Sequence, residues 1–216
     1  MIKNIIFDFD GVIIDSINIK TDAFLELYKE YGENIQKQIY KYHIENLGID
    51  RFKKIKYFHN NFLNITINNE ELNKLATIFS LNVFKKIIKC QFIEGAREFL
   101  ENNKNDYSLF ISSGTPQEEL ENIIRLKNIN EYFIDIYGSP LTKNQHVKNI
   151  KDKYNILDNE TLFIGDASID QKTAKNNNLY FIGIESNSNL FDEEKYKMLN
   201  LKNLNEMINR INSDIK

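Results

Sequence analysis

The period of the hydrophobic positions changes along the chain near residue 90. Residues 3–9, KNIIFDF, form a short apolar run ending in acids, the pattern of a buried strand. From 16 to 90 the period is helical. Ser16 or Asp15 can cap a helix beginning near Ile17, and Phe24, Leu27, Tyr28 and Tyr31 follow at helical spacing until Gly32 closes the segment. Ile35, Ile39, Tyr42 and Leu47 mark a second helix. Phe52, Ile55, Phe58, Phe62 and Leu63 mark a third, and Leu72, Leu75, Phe79, Val83 and Phe84 form the stripe of a fourth over 71–88. After Cys90, helical patterns at 94–103, 117–127, 143–155 and 169–177 alternate with short apolar runs at 108–112, 133–138, 161–165 and 180–184. The last 20 or so residues read as a polar amphipathic helix.

Alternating strands and helices predict an α/β fold, a doubly wound parallel sheet with helices on both faces. The first strand stands too far from 108 to be joined to its neighbour by an ordinary crossover. The economical organisation is an α/β core domain of residues 1–15 and 91–216, interrupted by an α-helical domain of residues 16–90.

Composition narrows the function classes. The chain has 216 residues, 42% hydrophobic and 27% charged, a globular composition. A net charge of -3 argues against a nucleic-acid partner, because phosphate backbones demand basic stripes. Cys90 is the only cysteine, so neither an internal disulfide nor a multi-thiolate metal site can form within the chain. No apolar run approaches a membrane span of roughly 20 residues, and the N-terminal run meets Asp8 and Asp10 too soon for a signal peptide. The expectation is a cytoplasmic protein, a monomer or weak dimer. His43, His59 and His146 lack metal-ligand or triad spacing and read as structural or surface residues.

Four clusters carry candidate chemistry, each at the C-terminal end of a predicted strand, where open parallel sheets bind ligands. In DFDGVIIDS (8–16), alternation puts Asp8 and Asp10 on one side, and a divalent cation would relieve their repulsion. FISSGTP (110–116) offers hydroxyls and backbone N–H groups suited to a phosphate oxyanion, or ordinary N-caps with Pro116 in the first turn. YGSPLTK (137–143) ends in a lysine at a helix start, wrong for the helix dipole unless an anion is near; Lys148 is its rival one turn on. LFIGDASID (162–170) can aim Asp166 and Asp170 at one hard cation. Half of the eight glycines and both prolines lie in these four turns.

In combination these motifs resemble the haloacid dehalogenase superfamily, and the helical insert resembles that of its phosphoglycolate phosphatase and β-phosphoglucomutase branch. The resemblance implies strand order 5-4-1-2-3 and Mg²⁺-dependent hydrolysis of a small phosphomonoester. A sugar phosphate is the first expectation for substrate and phosphoglycolate the second. By resemblance, Asp8 is the nucleophile and Asp10 the acid/base. Mg²⁺ is held by Asp8, the Asp10 carbonyl and Asp166, with Asp170 as a further ligand or orienting group. Ser112 contacts the phosphoryl, aided by backbone N–H groups of Ser113 or Gly114, and Lys143 neutralises its charge. Asp10 is the acid that true dehalogenases lack. The Schiff-base lysine of phosphonoacetaldehyde hydrolases has no marked counterpart among Lys53, Lys54 and Lys56. GIDR (48–51) resembles the β-phosphoglucomutase loop whose arginine grips a distal phosphate, the role Arg51 would fill. Those mutases carry a histidine where this chain has Lys20, a departure that favours a phosphatase and leaves Lys20 as a possible substrate contact.

Overall fold

The computed structural model describes residues 1–185 and 189–215. Its centre is a six-stranded parallel sheet in the order β3-β2-β1-β4-β5-β6. The strands are β1 (Asn4–Phe7), β2 (Ser108–Pro116), β3 (Asp135–Ser139), β4 (Thr161–Gly165), β5 (Tyr180–Ile184) and the two-residue β6 (Lys197–Met198). The first five take the order the resemblance implied, and β6 extends the edge.

Both faces of the sheet are covered, which is why its strands read as unbroken apolar runs. Ile6 pairs in register with Phe110 and Phe163. These three pack with Val147 and Ile150 of α7 (Lys143–Tyr154) and Ala174 of α8 (Ser168–Asn176). On the opposite face, Ile5, Phe7, Leu109, Ile111, Leu162 and Ile164 join Phe99 of α5 (Ala96–Asn103), Ile123 of α6 (Gln117–Leu126) and Ile208 of α9 (Leu204–Asp214). Phe7 and Phe99 meet edge to face with ring centroids 6.0 Å apart.

The insert consists of α1 (Ile17–Leu27), α2 (Glu33–Glu45), α3 (Arg51–Phe58) and α4 (Asn69–Lys89). Two predicted helices change pitch before they end: 3₁₀ turns take over at Lys29–Tyr31 and π turns at His59–Leu63. Aromatic rings fill the space between the helices. Phe24 lies 4.3 Å from Phe79 and 5.5 Å from Phe58, and Tyr42 stacks on Tyr57 at 4.0 Å. This core is continuous with that of the sheet. The loop before α3 rests on the C-terminal ends of the strands: a Cβ on Gly114 would strike the carbonyl oxygen of Gly48. Among the described residues no helix is long and apolar enough to cross a membrane.

Candidate active site

Strand order reverses at β1, between β2 and β4, and the four sequence clusters converge there. Asp8, Asp166 and Asp170 present carboxylate oxygens within 4.8 Å of one another, all buried. Lys143, the first residue of α7, bridges two of them, with Nζ 2.9 Å from Asp8 Oδ2 and 2.5 Å from Asp170 Oδ1. The anion that the helix dipole called for is therefore a pair of aspartates. The capping box of Thr142 and Gln145 starts the helix, which frees Lys143 to point inward.

The three carboxylates are not equivalent. Asp8 Oδ1 accepts from its neighbour's backbone, Phe9 N, at 2.7 Å. Asp170 uses both oxygens, one on Lys143 and the other accepting from Ala167 N at 3.2 Å. Asp166 is buried, and neither of its oxygens has a partner among the described residues. Burial, then the Asp8 and Asp170 charges, push its carboxyl well above the usual range. Burial likewise raises Asp170 to about 7, against the opposing pull of Lys143. Lys143 is held above its ordinary value because Asp170 and Asp8 outweigh its own desolvation. The backbone accommodates this crowding through glycine. Gly11 has φ +81°, and a Cβ there would collide with the Asp166 carboxylate, as one on Gly165 would with Asp170.

Asp10 lines the same cleft but has a separate set of partners. Its Oδ1 accepts from Ser16 Oγ at 2.6 Å, and Oδ2 lies 2.5 Å from Lys20 Nζ and 3.0 Å from Thr115 Oγ1. Burial would raise its carboxyl, but Lys20, Ser16 and Thr115 outweigh it and hold it low. Ser16 caps nothing, because its hydroxyl is spent on Asp10. Neither Ser113 nor Thr115 caps α6: Pro116 takes the cap position without a side-chain bond, and both hydroxyls turn toward Asp10.

The family model for haloacid dehalogenase-like hydrolases matches residues 5–184. The chain belongs to this family.

No curated protein sequence matches the chain at significance. Solved structures of haloacid dehalogenase-like proteins superpose on it closely. A β-phosphoglucomutase from Clostridium difficile is 19% identical with TM-score 0.78, the match covering 98% of this chain and 99% of that one. A predicted phosphoglycolate phosphatase from Haemophilus somnus 129PT is 13% identical with TM-score 0.77, covering 96% and 98%. A magnesium-bound protein from Bacillus subtilis, assigned to the same hydrolases, is 16% identical with TM-score 0.74, covering 96% and 99%. At these identities the likeness is one of fold.

Within this haloacid dehalogenase-like frame, three expected site residues sit differently from their expectation. Ser112 points into the core. His146 Nε2–H donates to the Gly138 carbonyl at 3.0 Å, so Nδ1 is the acceptor, and the Ser112 hydroxyl donates to it at 2.9 Å. Burial, first of all, keeps His146 neutral by lowering it to about 4. With its proton spent there, Ser112 does not fit the phosphoryl contact. Ser113 fits better: its hydroxyl accepts from Thr115 N at 3.1 Å and donates to Asp10 Oδ2 only over a long 3.5 Å, a bond that a phosphoryl oxygen would displace. Lys20 does not reach outward to a substrate but is tied to Asp10 and Thr115. Arg51 lines the cleft, yet its guanidinium is held by Glu119 of α6 at 2.7 Å and by Ser80 of α4, lying 4.8 Å over the Phe79 ring.

The two serines separate in a simple experiment. Ser113→Ala is expected to lower kcat by roughly 10²–10³-fold, the usual cost of one transition-state hydrogen-bond donor. Ser112→Ala is expected to change kcat less than about tenfold while lowering stability by about 1–3 kcal/mol, because it strands the buried His146 Nδ1. Steady-state kinetics and thermal melts of the two variants check the pair.

Sequence reasoning missed Thr115 as a partner of Asp10, Glu119 as the partner of Arg51, and Lys54 with His43. None of the three histidines is on the surface: all are buried. Lys54 had a legible signal. Arg51, Lys54, Ile55 and Phe58 form the buried stripe of α3, and a lysine on an apolar stripe is out of place. Among the three lysines of this helix, Lys54 is the desolvated one, at 2% exposure.

Proposed function

We propose that the protein is a Mg²⁺-dependent phosphatase that hydrolyses a small phosphomonoester through an aspartyl-phosphate on Asp8. The observation that carries this reading is the buried Asp166 carboxylate, both oxygens unpaired among the described residues, beside Asp8 and the Lys143–Asp170 pair. An all-oxygen donor set of this kind fits a hard divalent cation. Asp8, Asp166 and the Asp10 carbonyl would hold the ion, and Asp170, with both oxygens hydrogen-bonded, would position Lys143. When bound, the metal supplies positive charge that offsets the phosphoryl oxygens.

The chain's own groups do the rest. An Asp8 oxygen attacks phosphorus as the bond to the leaving oxygen breaks, and Lys143 and the Ser113 hydroxyl stabilise the charge on the phosphoryl oxygens. Asp10 hands the leaving oxygen a proton, one that a phosphomonoester monoanion brings with it. In the second step Asp10, ionised beside Lys20, takes a proton from the water that attacks phosphorus; Asp8 and inorganic phosphate are released. Lys20 supports hydrolysis over mutase chemistry by favouring this base form. The occupied Arg51 guanidinium also tells against a grip on a distal phosphate.

The test is phosphate release from a panel of small phosphomonoesters in Mg²⁺ and in EDTA. Release in Mg²⁺ and none in EDTA is the expected result; equal release in both overturns the metal assignment. Asp166→Asn gives an independent readout. Carboxylate oxygens within 4.8 Å repel by a few kcal/mol at an effective dielectric of about 20. The variant is therefore expected to melt higher than wild type without metal and to gain nothing from added Mg²⁺.

A further inference from the structure

The insert side of the cleft carries three cations, and two are spent. Lys20 is bound to Asp10 and Thr115, and Arg51 to Glu119 and Ser80. Lys54 is different. Its Nζ meets the Nδ1 of His43 at 2.8 Å and has no carboxylate partner among the described residues. His43 is neutral, since burial and then the Lys54 charge lower it to about 2, and its Nε2–H has no partner among the described residues either. Both side chains line the cleft that contains Asp8, Asp10 and Asp166. The other insert residues lining it are chiefly apolar: Ile17, Phe24, Leu47, Ile49 and Phe79.

A buried ammonium without a counter-ion is costly, and burial, followed by the Lys20 charge, lowers Lys54 to about 7 even though Asp166, Asp10 and Asp50 pull the other way. A ligand anion would remove that cost. A polyol would not, because its hydroxyls need several donors and acceptors, and the apolar walls offer none. Resting on the phosphomonoester reading above, the geometry points to a substrate with a short leaving group that ends in an anion, a carboxylate or a second phosphate, paired with Lys54 where His43 holds its amine. Lys54 is thereby the specificity-determining residue of the insert, in place of Arg51, and a neutral sugar phosphate is a poor substrate.

Non-hydrolysable probes separate this claim from the phosphatase reading. Calorimetry on the full chain in Mg²⁺ compares 3-phosphonopropionate, propane-1,3-bisphosphonate and the neutral-tailed butylphosphonate. One of the two anionic tails is expected to bind at least about 30-fold more tightly than butylphosphonate, the scale of a charge-assisted hydrogen bond. Which tail wins tells carboxylate from phosphate. In Lys54→Met the preference is expected to fall below about threefold. Equal binding of all three probes, or a preference that survives in Lys54→Met, overturns the inference. So does a covalent adduct at Lys54 trapped by borohydride with an aldehyde-bearing phosphonate, which would make the amine a nucleophile. Should Lys54→Met not fold, Lys54→Gln takes its place: loss of the preference for the anionic tail supports the inference, and a preference that survives overturns it. Turnover of p-nitrophenyl phosphate in Mg²⁺ tests the phosphatase reading separately, since it needs no anionic tail.

Discussion

Asp8→Asn is expected to reduce phosphate release by about 10⁴-fold or more, the scale seen when a nucleophile is removed from a concerted site. An amide nitrogen has no lone pair to offer phosphorus, and the amide oxygen is a far weaker nucleophile than a carboxylate. The fold should survive. Asp8 is buried beside two other carboxylates, and neutralising it relieves repulsion, while its Oδ1 can still accept from Phe9 N. The check is a direct one: kcat on the best substrate of the panel, with a melt to show that the variant is folded. A second readout is the phospho-enzyme. Wild type quenched in acid during turnover should carry one phosphoryl group on the peptide containing Asp8, and the variant none. A variant that keeps a tenth of the wild-type rate would remove Asp8 from the chemistry.

The largest stability effect should come from Lys143→Met. The substitution is close in shape but leaves Asp8 and Asp170 facing each other without the ammonium that bridges them at 2.9 and 2.5 Å. Breaking a buried ion pair from one side costs roughly 3–5 kcal/mol, which for a chain of this size is a fall in Tm of about 6–20 °C. Activity falls with it, because the phosphoryl loses its cation. The pH dependence carries a definite sign. Asp170 is already raised to about 7 with Lys143 present, and losing that cation raises it further. A carboxyl raised in the folded state binds a proton that the unfolded chain has released, so stability is greatest below the unfolded value and is lost as pH rises through the folded one. The variant should therefore melt higher at pH 5 than at pH 8. A flat profile would mean that the pair is not where the stability resides.

Both expectations rest on residues that the sequence itself singled out, for a physical reason. Asp8, Asp10 and Asp166 are acids at the ends of apolar strands, with Asp170 four residues on; an exposed turn or a helix cap accounts for each alone, and the four clusters together point to chemistry. Gly11 and Gly165 were legible with them, because scarce glycine marks backbone that must come close to something, here the two aspartates. Lys143 was legible as a charge of the wrong sign for its helix end.

The choice between adjacent hydroxyls was not legible. Ser112 and Ser113 are neighbours of one type, and which of them faces the carboxylates depends on where β2 becomes irregular, between Ser112 and Pro116. It depends also on His146, 34 residues away, which claims one of the two. Arg51 looks like a free guanidinium in sequence because its partners, Ser80 and Glu119, lie 29 and 68 residues along the chain.

By itself the sequence determined the parallel sheet, the helical insert after its first strand and the four turns that carry the carboxylates. Each is written in short unbroken apolar runs, in the 3.6-residue helical period and in glycine and charge at strand ends, which act over a few residues. Tertiary structure alone decided which cations are spent and which remain. Lys20, Arg51 and Lys54 look alike in sequence, but only packing brings Asp10 to the first, Glu119 to the second, and nothing but a neutral imidazole to the third. Pairing of charges is set by distance in space and by desolvation, and neither quantity exists until the chain has folded.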